Sequence, residues 1–444
     1  MKKFLLILTI IFGITVNCAQ AGLKSDINDV ITKSNINKSS ISISLKNAST
    51  GKTVYELNPN MPVSPASTQK IITATPAFMT LGDDYRFATK LYKNNKDEYL
   101  IVLGADPYLR SNELDKIVKF IPKEPACINI DASIIDDQEW GEGWQWDDDL
   151  NPRMPKFSAY NLDKNIMEIV ISPSMAGYAP EITQDANYPL TFVNKIITSN
   201  NTKYTIKRQN HISPDVIILE GTICPKKSEI IKIPINNPKK YFTMKLSDSV
   251  IDHQISSSGV YKNVKLDKSY KLITLLSHDI ENAKTDIYKN SSNFVAETVF
   301  KIAGGKYVSG TGSFENGLLM FNDFCKSHNI DTSRIKITDA SGVSKNNLMV
   351  ADFMTEFLYK TRGYIEPNLP TAGEGTLSNR MLYLKGFVHA KTGTLNNISA
   401  IAGYISTLKR QSYVFCIMIN DPHSSAGDKK MLEEYILRTI YSKG

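Results

Sequence analysis

Pro65-Ala66-Ser67-Thr68-Gln69-Lys70 places a serine and a lysine three residues apart, at the start of an apolar run that extends to about Leu81. In a helix that begins near Ala66, the Ser67 and Lys70 side chains lie on one face, one turn apart. A serine hydroxyl is a weak nucleophile until a base removes its proton. A lysine whose pKa is lowered by burial or by a second cation can be that base. The stretch therefore predicts a nucleophilic serine at the start of a helix.

The Ser-x-x-Lys pattern alone is weak evidence, because the chain contains three further copies: Ser49 with Lys52, Ser333 with Lys336, and Ser406 with Lys409. Those copies fall in a turn, in a loop and at a strand end, whereas Ser67 opens a predicted helix after an extended, proline-containing segment. Helix capping is the alternative role for Ser67, since serine is a favoured N-cap residue. The interpretation of Ser67 therefore depends on the rest of the chain.

Two further strings follow in the order expected of a serine acyl-transferase site, Ser291-Ser292-Asn293 and Lys391-Thr392-Gly393. Ser291 can pass a proton to a leaving amine and Asn293 can hold a substrate amide, although a serine before a helix is also a common cap. A cationic Lys391 and the hydroxyl of Thr392 can bind a substrate carboxylate. The glycine that follows lets another segment approach closely, and a polar edge strand is the alternative interpretation. The order of the three strings favours the active site.

Predicted strands lie at both ends of the chain. They form an early hairpin and a late group, at Ile41–Leu45, Thr53–Leu57, Gly386–Ala390, Ile398–Ser406 and Ser412–Ile419. Neither group can bury a face alone, and pairing the two groups into one antiparallel sheet solves this problem. Helical spacing is seen at Leu272–Leu276, Asn293–Gly304, Phe314–Ser327 and Asp428–Tyr441. Pro76 should kink or shorten the helix that follows Ser67.

The middle of the chain has a different texture, with short β-like runs between clusters of Asn, Pro, Gly and Lys. We therefore predict an α+β protein. Residues 22–86 and 241–444 would form a catalytic domain with an antiparallel sheet flanked by helices. Residues 87–240 would form a large, mainly-β insertion.

The N-terminal residues are typical of an export signal. Lys2 and Lys3 precede the apolar run Phe4–Val16, and Ala19-Gln20-Ala21 matches a cleavage site, so residues 1–21 are predicted to be removed after Ala21. A lipid anchor on Cys18 is the alternative. No later stretch is long and apolar enough to predict a stable membrane span.

Composition narrows the function classes further. The hydrophobic fraction of 42% and the charged fraction of 22% are those of a globular protein. The formal net charge of +7 is scattered rather than clustered, which argues against nucleic-acid binding. Four cysteines remain after the signal, namely Cys127, Cys224, Cys325 and Cys416. Their spacing lacks Cys-x-x-Cys, which argues against a zinc site, and no metal or cofactor is predicted; three disulfide pairings are open.

The motifs resemble those of the penicillin-binding protein 4 type D-alanyl-D-alanine carboxypeptidases and endopeptidases, the low-molecular-mass class C penicillin-binding proteins. The resemblance extends over most of the chain and includes Asn293–Glu297, Asp339–Ser344, Gly375–Leu377, Gly104–Pro107 and Trp144–Asp148. It implies a transpeptidase-like domain related to serine β-lactamases, with two small β-rich domains inserted between the first and second motifs. The long interval between Lys70 and Ser291 fits that family better than a β-lactamase or a minimal carboxypeptidase, which would be expected to use far fewer residues there.

The resemblance also implies the role of each site residue. Ser67 would attack the carbonyl between two terminal D-alanines, with Lys70 as the base and Ser291 and Asn293 completing the proton path and holding the peptide. The terminal carboxylate would bind to Lys391 and Thr392, and the N–H groups of Ser67 and Thr394 would form the oxyanion hole. Positions of a subsite for the diaminopimelate side chain fall on Asp148, Phe157, Lys345 and Asn396. The last two depart from the arginine and glutamine expected there, and a solvated acidic run is the alternative for Asp148.

The predicted function is that of a periplasmic serine D,D-peptidase acting on peptidoglycan stem peptides, their cross-links or both. β-Lactams should acylate Ser67. The alternatives are a serine β-lactamase, for which no dedicated hydrolytic group is evident, and a non-catalytic cell-wall binding protein with a vestigial site.

Overall fold

The computed structural model describes residues 22–124, 126–184, 188–209, 213–257, 259 and 261–444, so the predicted signal lies outside the described residues. The chain forms two compact units. The first contains residues 22–80, 283–292 and 318–444, and the second contains residues 81–282 and 293–317.

The described β-strands, in chain order, are β1 (Ile41–Asn47), β2 (Thr53–Leu57), β3 (Arg86–Lys93), β4 (Glu98–Val102), β5 (Cys127–Asp131), β6 (Ile166–Ser172), β7 (Glu181–Gln184), β8 (Thr191–Thr198), β9 (Lys203–Gln209), β10 (Ser213–Ile223), β11 (Glu229–Pro234), β12 (Lys262–Asn263), β13 (Lys271–Asp279), β14 (Val388–Leu395), β15 (Ile398–Ser406) and β16 (Ser412–Asn420).

The α-helices are α1 (residues 22–33), α2 (Lys70–Leu81), α3 (Asp115–Val118), α4 (Pro238–Asp252), α5 (Ile280–Lys284), α6 (Asn293–Val308), α7 (Phe314–Ser327), α8 (Ala351–Lys360), α9 (Arg362–Ile365) and α10 (Ala426–Lys443). Short 3-10 helices lie at Lys38–Ser40, Ala66–Gln69, Ser111–Glu113, Trp146–Asp148, Glu366–Asn368, Gly375–Leu377 and Leu382–Leu384. A π turn lies at Thr285–Lys289.

The first unit is built on a five-stranded antiparallel sheet in the order β14-β15-β16-β1-β2. β1 alternates isoleucine or leucine with serine, and both of its faces are buried. Its apolar residues join one cluster with buried side chains of α1 and α10. On the other face, the hydroxyl of Ser44 lies 2.7 Å from that of Thr355 in α8, so the buried serine is satisfied. The predicted pairing of the two chain ends into one antiparallel sheet flanked by helices is confirmed.

Helix α2 continues through Pro76 to Leu81 and does not end at the proline. A proline inside a helix removes one backbone hydrogen bond. Residues on several sides of α2 are fully buried, including Ile71, Ile72 and Phe78. Packing around α2 therefore outweighs the lost hydrogen bond.

The described residues of the second unit form three sheets, in the orders β12-β5-β4-β3-β13, β11-β6-β7 and β8-β10-β9. The prediction of helical spacing at Leu272–Leu276 is wrong, because these residues belong to β13, which pairs antiparallel with β3. The apolar spacing of such a short run fits either structure, and the unpaired edge of β3 decides between them. The α3 helix is a short exception to the mainly-β texture of this region.

The two units divide the chain differently from the predicted domains. Residues 241–282 and 293–317, which the sequence placed in the catalytic domain, group with the second unit. The pairing of β13 with β3 is one reason. In the same unit, the N–H of Gly312 donates to the carbonyl of Ile134, and Lys301 on α6 pairs with Asp136. The boundary follows these tertiary contacts, which the position of a motif in the chain does not reveal.

Within the part of the chain that the structure describes, no helix combines the length and apolarity needed to cross a membrane. The four cysteines at positions 127, 224, 325 and 416 are free thiols. Burial raises the pKa of the Cys325 thiol to about 12 and raises that of Cys416 as well.

Candidate active site

Ser67 lies in the 3-10 helix Ala66–Gln69, which leads directly into α2. Its side chain is partly exposed, whereas Ala66, Thr68 and Lys70 around it are buried. Ala66 has a φ of +47°, a left-handed conformation that is unfavourable for a residue with a Cβ. The hydroxyl of Thr68 donates to the carbonyl of Pro65 at 2.7 Å and fixes the turn. The chain therefore holds a single hydroxyl at the surface of an otherwise closed, strained turn.

Lys70 follows one turn later and points back to this hydroxyl. Its Nζ donates to Ser67 Oγ at 2.9 Å and to the backbone carbonyl of Ser341 at 2.6 Å. The Lys70 side chain is fully buried. At 2.9 Å from Ser67 Oγ, a neutral amine on Lys70 can take the serine proton directly.

Lys391 on β14 is the second buried amine of the site. Its Nζ donates to Ser291 Oγ at 2.8 Å and to the carbonyl of Thr392 at 2.9 Å. Ser291 follows the π turn and has a φ of +62°. The second and third strings of the sequence thus meet through a single hydrogen bond between Lys391 and Ser291.

Burial, and secondly the charge of Lys70, hold the pKa of the Lys391 ammonium well below its ordinary value. A buried ammonium loses its hydration, and a second ammonium repels it, so both effects favour the neutral amine. Lys391 therefore loses its proton at a lower pH than an exposed lysine would.

Two glycines let the backbone segments of the site approach each other. A Cβ on Gly393 would lie 2.8 Å from the carbonyl oxygen of Pro65 and 2.9 Å from the nitrogen of Ser67. A Cβ on Gly342, which has a φ of +79°, would lie 2.0 Å from the carbonyl oxygen of Ala66. Lys391 and Gly393 alternate by two along β14 and so share the face that packs against the Ser67 turn. The close approach predicted for Gly393 is thus present.

A buried carboxylate shapes the loop that supports Lys70. Asp339 Oδ1 accepts the N–H of Gly342 at 2.7 Å, and Oδ2 accepts the N–H groups of Val343 and Ser344 at 3.0 and 2.7 Å. The side-chain amide of Asn347 donates to Oδ1 at 2.8 Å. Because these bonds fix the loop, they also fix the Ser341 carbonyl that accepts from Lys70.

Sequence reasoning assigned no role to this supporting shell. Gln69 belongs to it too, since its Nε2 donates to Asn347 Oδ1 at 3.0 Å and to the carbonyl of Asp339. The signal that could have found Asp339 is the run Asp339-Ala340-Ser341-Gly342, because an aspartate before a glycine turn commonly accepts backbone N–H groups. Gln69 carries no such signal, because its partners are remote in the chain.

The remaining predicted residues of the first unit differ in exposure. Thr392 on β14 is buried, whereas Thr394 on the same strand is exposed. Lys345 is exposed in the loop after Ser344, and Asn396 is exposed in the turn between β14 and β15.

Three predicted residues belong to the second unit. Asn293 is the first residue of α6, and its side-chain amide donates to the carbonyl of Arg153 at 3.0 Å. Asp148 is partly exposed at the end of a 3-10 helix. Phe157 is only 1% exposed; the Trp144 ring lies 5.9 Å from its ring, and Lys301 Nζ lies 5.1 Å from its centroid.

An antiparallel sheet covered by helices, with a serine–lysine pair at a helix start and a second lysine on the adjoining strand, defines the class of the penicillin-binding proteins and serine β-lactamases. The sequence profile of the D-Ala-D-Ala carboxypeptidase 3 (S13) family matches residues 23–437. The chain belongs to this family and is a serine-type carboxypeptidase, as its motifs predicted.

Individual relatives agree with this assignment. The chain is 23% identical over 429 residues to a D-alanyl-D-alanine carboxypeptidase of Actinomadura sp. (strain R39), covering 86% of this chain and 78% of the relative. It is 23% identical over 419 residues to D-alanyl-D-alanine carboxypeptidase DacB of Haemophilus influenzae, covering 86% of this chain and 85% of the relative.

The fold is also that of a solved structure, penicillin-binding protein 4 (dacB) from Haemophilus influenzae. The match has a TM-score of 0.83 at 20% identity and covers 94% of this chain and 99% of the other. The same protein complexed with a novel β-lactam matches with a TM-score of 0.78 at 19% identity. The predicted α+β fold of the penicillin-binding class, with a β-rich insertion, is therefore confirmed.

Proposed function

We propose that this protein removes the terminal D-alanine from peptidoglycan stem peptides through an acyl-enzyme on Ser67. The observation that carries the proposal is the 2.9 Å hydrogen bond from Lys70 Nζ to Ser67 Oγ, next to a second buried amine bound to Ser291. The named activity of the Haemophilus and Actinomadura relatives, D-alanyl-D-alanine carboxypeptidase, supports the choice of substrate.

In the first step, Ser67 Oγ attacks the carbonyl carbon of the penultimate D-alanine, and neutral Lys70 takes the hydroxyl proton. The N–H groups of Ser67 and Thr394 stabilise the oxyanion, a role supported by the close approach of Gly393 to the Ser67 nitrogen. The C–N bond then breaks. The leaving amine of D-alanine receives the proton from Lys70 by way of Ser291, and Asn293 holds the peptide amide. Water later hydrolyses the ester and restores the Ser67 hydroxyl.

The interaction between Lys70 and Lys391 determines which of the two amines is protonated in this step. The terminal carboxylate of the substrate binds Lys391 and Thr392, and its negative charge favours the protonated form of Lys391. A proton held on Lys391 makes protonation of Lys70 less favourable, because Lys70 and Lys391 interact electrostatically. Substrate binding therefore leaves Lys70 as the neutral base.

Digestion of a purified stem pentapeptide that ends in D-Ala-D-Ala tests the proposal. The Ser67→Ala variant is expected to lose at least about 10³-fold in kcat/KM, since it removes the nucleophile. Ser49→Ala is the matched control, because Ser49 belongs to an exposed copy of the same Ser-x-x-Lys pattern. Release of D-alanine by Ser67→Ala at the native rate would refute the assignment. Digestion of cross-linked dimers by the same proteins measures the endopeptidase reaction.

Time-resolved mass spectrometry with penicillin separates the peptidase from its alternatives. A long-lived adduct that is present in the native protein and absent from Ser67→Ala supports a penicillin-binding peptidase. Rapid turnover without a lasting adduct would indicate a β-lactamase, and the absence of both would indicate a non-catalytic binding protein. The β-lactam complex of the Haemophilus structure supports the first outcome.

Two finer assignments belong to the same proposal. We place the diaminopimelate side chain of the substrate near Asp148, Phe157, Lys345 and Asn396; Lys345→Ala should then raise KM more for diaminopimelate stem peptides than for lysine stem peptides. We also place the protein in the periplasm, because residues 1–21 have the pattern of a cleaved export signal. Cell fractionation and N-terminal sequencing of the mature protein test the location and the cleavage after Ala21.

A further inference from the structure

A polar cavity of about 400 Å³ opens in the second unit, lined by none of the residues assigned to the peptidase site. Cations, carboxylates and hydroxyls form most of its wall, namely Arg110, Lys164, Lys232, Lys245, Asp163, Glu168, Ser111 and Tyr241. Its volume falls within the range of small-ligand sites, about 300–1,000 Å³. Because the wall has four cations and two carboxylates, the cavity favours an anion.

The two carboxylates offset only part of this positive charge. Asp163 Oδ1 accepts the N–H of Ser111 at 3.1 Å, and Oδ2 accepts the hydroxyl of Tyr241 at 2.9 Å. Both oxygens of Asp163 thus accept hydrogen bonds from neutral donors. Glu168 lies 3.5 Å from the amine of Lys232 and offsets that cation. The four cations therefore exceed the two carboxylates of the wall by two charges, and Asp248 beside Lys245 offsets one more.

Lys245 is the most informative of these cations. Its side chain is only 20% exposed, and the carboxylate of Asp248 lies 3.9 Å from its Nζ, beyond hydrogen-bonding distance. The Tyr241 ring lies 5.9 Å away. In the part of the chain that the structure describes, no acceptor hydrogen-bonds this ammonium. The ammonium of Lys245 is partly buried and has a carboxylate only at 3.9 Å, so an anion in the cavity would supply the close acceptor that it lacks.

The backbone beside the cavity is strained. Asp163, Lys164 and Asn165 have φ values of +52°, +56° and +54°, a left-handed run that is costly chiefly at Lys164, because Asp and Asn adopt this conformation more readily. The fully buried Asn165 holds this run, because its Oδ1 accepts the N–H of Leu162 at 3.1 Å and its Nδ2 donates to the carbonyl of Lys156 at 2.8 Å. Strain of this kind is retained where it places a functional side chain, and here the middle residue is Lys164 of the cavity wall.

We propose that this cavity binds a phosphate-bearing polyol or sugar. Lysine and arginine are the usual partners of phosphate. The cavity is too large for a phosphate alone, and its carboxylates and the Ser111 hydroxyl can bind the hydroxyls of an attached polyol. Nothing in this binding requires the acyl-transfer chemistry of Ser67, so the site adds a second ligand to the protein.

Isothermal titration calorimetry with glycerol 3-phosphate on the intact protein tests the proposal. The double variant Arg110→Gln with Lys245→Gln should bind at least about tenfold more weakly, because it removes two charge-assisted contacts. The matched control is Lys203→Gln with Lys226→Gln, which removes the same charge from exposed positions of the same unit. We expect the control and Ser67→Ala to bind like the native protein. The second comparison separates this proposal from the proposed peptidase activity.

Further probes make each outcome decisive. Glycerol should not bind, and inorganic phosphate should bind more weakly than glycerol 3-phosphate. Comparison with glycerophosphoglycerol distinguishes a free monoester from a diester-linked polymer as the source of the ligand. Equal losses in the cavity and control variants, or equal affinity for inorganic phosphate and glycerol 3-phosphate, would overturn the proposal. If the double variant does not fold, the exposed Arg110→Gln alone decides the same comparison.

Discussion

Ser67–Lys70 and Ser333–Lys336 are two copies of one pattern in the same unit, and their surroundings differ in every respect that matters for chemistry. Ser67 Oγ accepts a hydrogen bond from Lys70 Nζ at 2.9 Å, whereas Ser333 Oγ donates to Asp331 Oδ2 at 2.9 Å. Lys70 is fully buried, whereas Lys336 is exposed. The first pair belongs to a helical start, and the second lies in a turn that ends in a bridge between Lys336 and Leu348.

This comparison shows that the backbone conformation, rather than the Ser-x-x-Lys pattern itself, brings the serine and lysine side chains together. A helical turn brings side chains three residues apart together, whereas an extended segment points them to opposite faces. Burial then changes what the lysine can do, since a desolvated amine gives up its proton more readily. A serine–lysine pair therefore becomes reactive only where the fold supplies both the turn and the burial.

Replacement of the two lysines should give the largest contrast. We expect Lys70→Met to lower the acylation rate by about 10³-fold or more, because it removes the proposed general base. Met keeps most of the side-chain volume and removes a buried amine, so the thermal midpoint should not fall. Lys336→Met should leave both quantities unchanged. Acylation by penicillin and thermal unfolding measure them, and a similar loss in both variants would show that the surroundings of Lys70 are not special.

Replacement of two aspartates tests the supporting loops of the same two segments. Asp339→Asn should lower the free energy of unfolding by about 3 kcal/mol, since the new amide would face backbone N–H groups that the buried carboxylate accepts. Acylation should also slow, because the Ser341 carbonyl would shift. Asp331→Asn affects only an exposed turn and should change neither quantity. Urea unfolding of both variants measures the contrast, and equal midpoints would contradict it.

A third contrast uses two glycines of the first unit. Gly393→Ala would place a Cβ against the backbone of Pro65 and Ser67, which cannot move without displacing the nucleophile. We expect a loss of about 10²-fold in kcat/KM, the scale of a displacement near 1 Å. Gly427 is exposed near the start of α10, where Gly427→Ala meets only a contact at 3.5 Å. That variant should be slightly more stable and fully active. Equal activity of the two variants would refute the close approach.

The sequence predicts those features of the site and its fold that depend on residues only a few positions apart. The Ser67–Lys70 turn, four of the five terminal strands and helix α7 follow from periodicity over a few residues, and the structure has them where spacing predicts them. The fifth strand, predicted at Gly386–Ala390, instead extends over Val388–Leu395. The order of the motifs added Ser291 and Lys391, which the fold joins by a hydrogen bond. Gln69 acts through partners that are distant in the chain, so no local pattern indicates its role, whereas the Asp339 turn carries a local signal to which no role was assigned.

Tertiary contacts decide the features that the sequence did not reveal. The apolar spacing of Leu272–Leu276 predicts a helix, but pairing with the edge of β3 makes this segment part of strand β13. The extent of the second unit follows from that pairing and from contacts of α6, such as the one between Lys301 and Asp136. Periodicity reports which face of a segment is apolar, but it does not report which segment covers that face.

The smallest expected effect concerns the pH dependence of stability and compares Lys391 with Lys336. Burial and the charge of Lys70 lower the pKa of Lys391 in the folded protein, so between that pKa and about 10.4 the unfolded chain binds a proton that the folded protein does not. The free energy of unfolding should therefore rise with pH in this range, by at most about 1.4 kcal/mol per pH unit.

Lys391→Met removes this titration, so the stability of the native protein relative to the variant should increase from pH 7 to pH 10. Urea unfolding at several pH values measures the difference, and subtraction of the two curves cancels the titrations that both proteins share. Lys336→Met makes the same replacement at an exposed position of the same unit and serves as the control for the subtraction. A flat curve for Lys391→Met would mean that Lys391 keeps its proton when no substrate is bound. The neutral base would then have to come from Lys70 alone, before any substrate carboxylate binds.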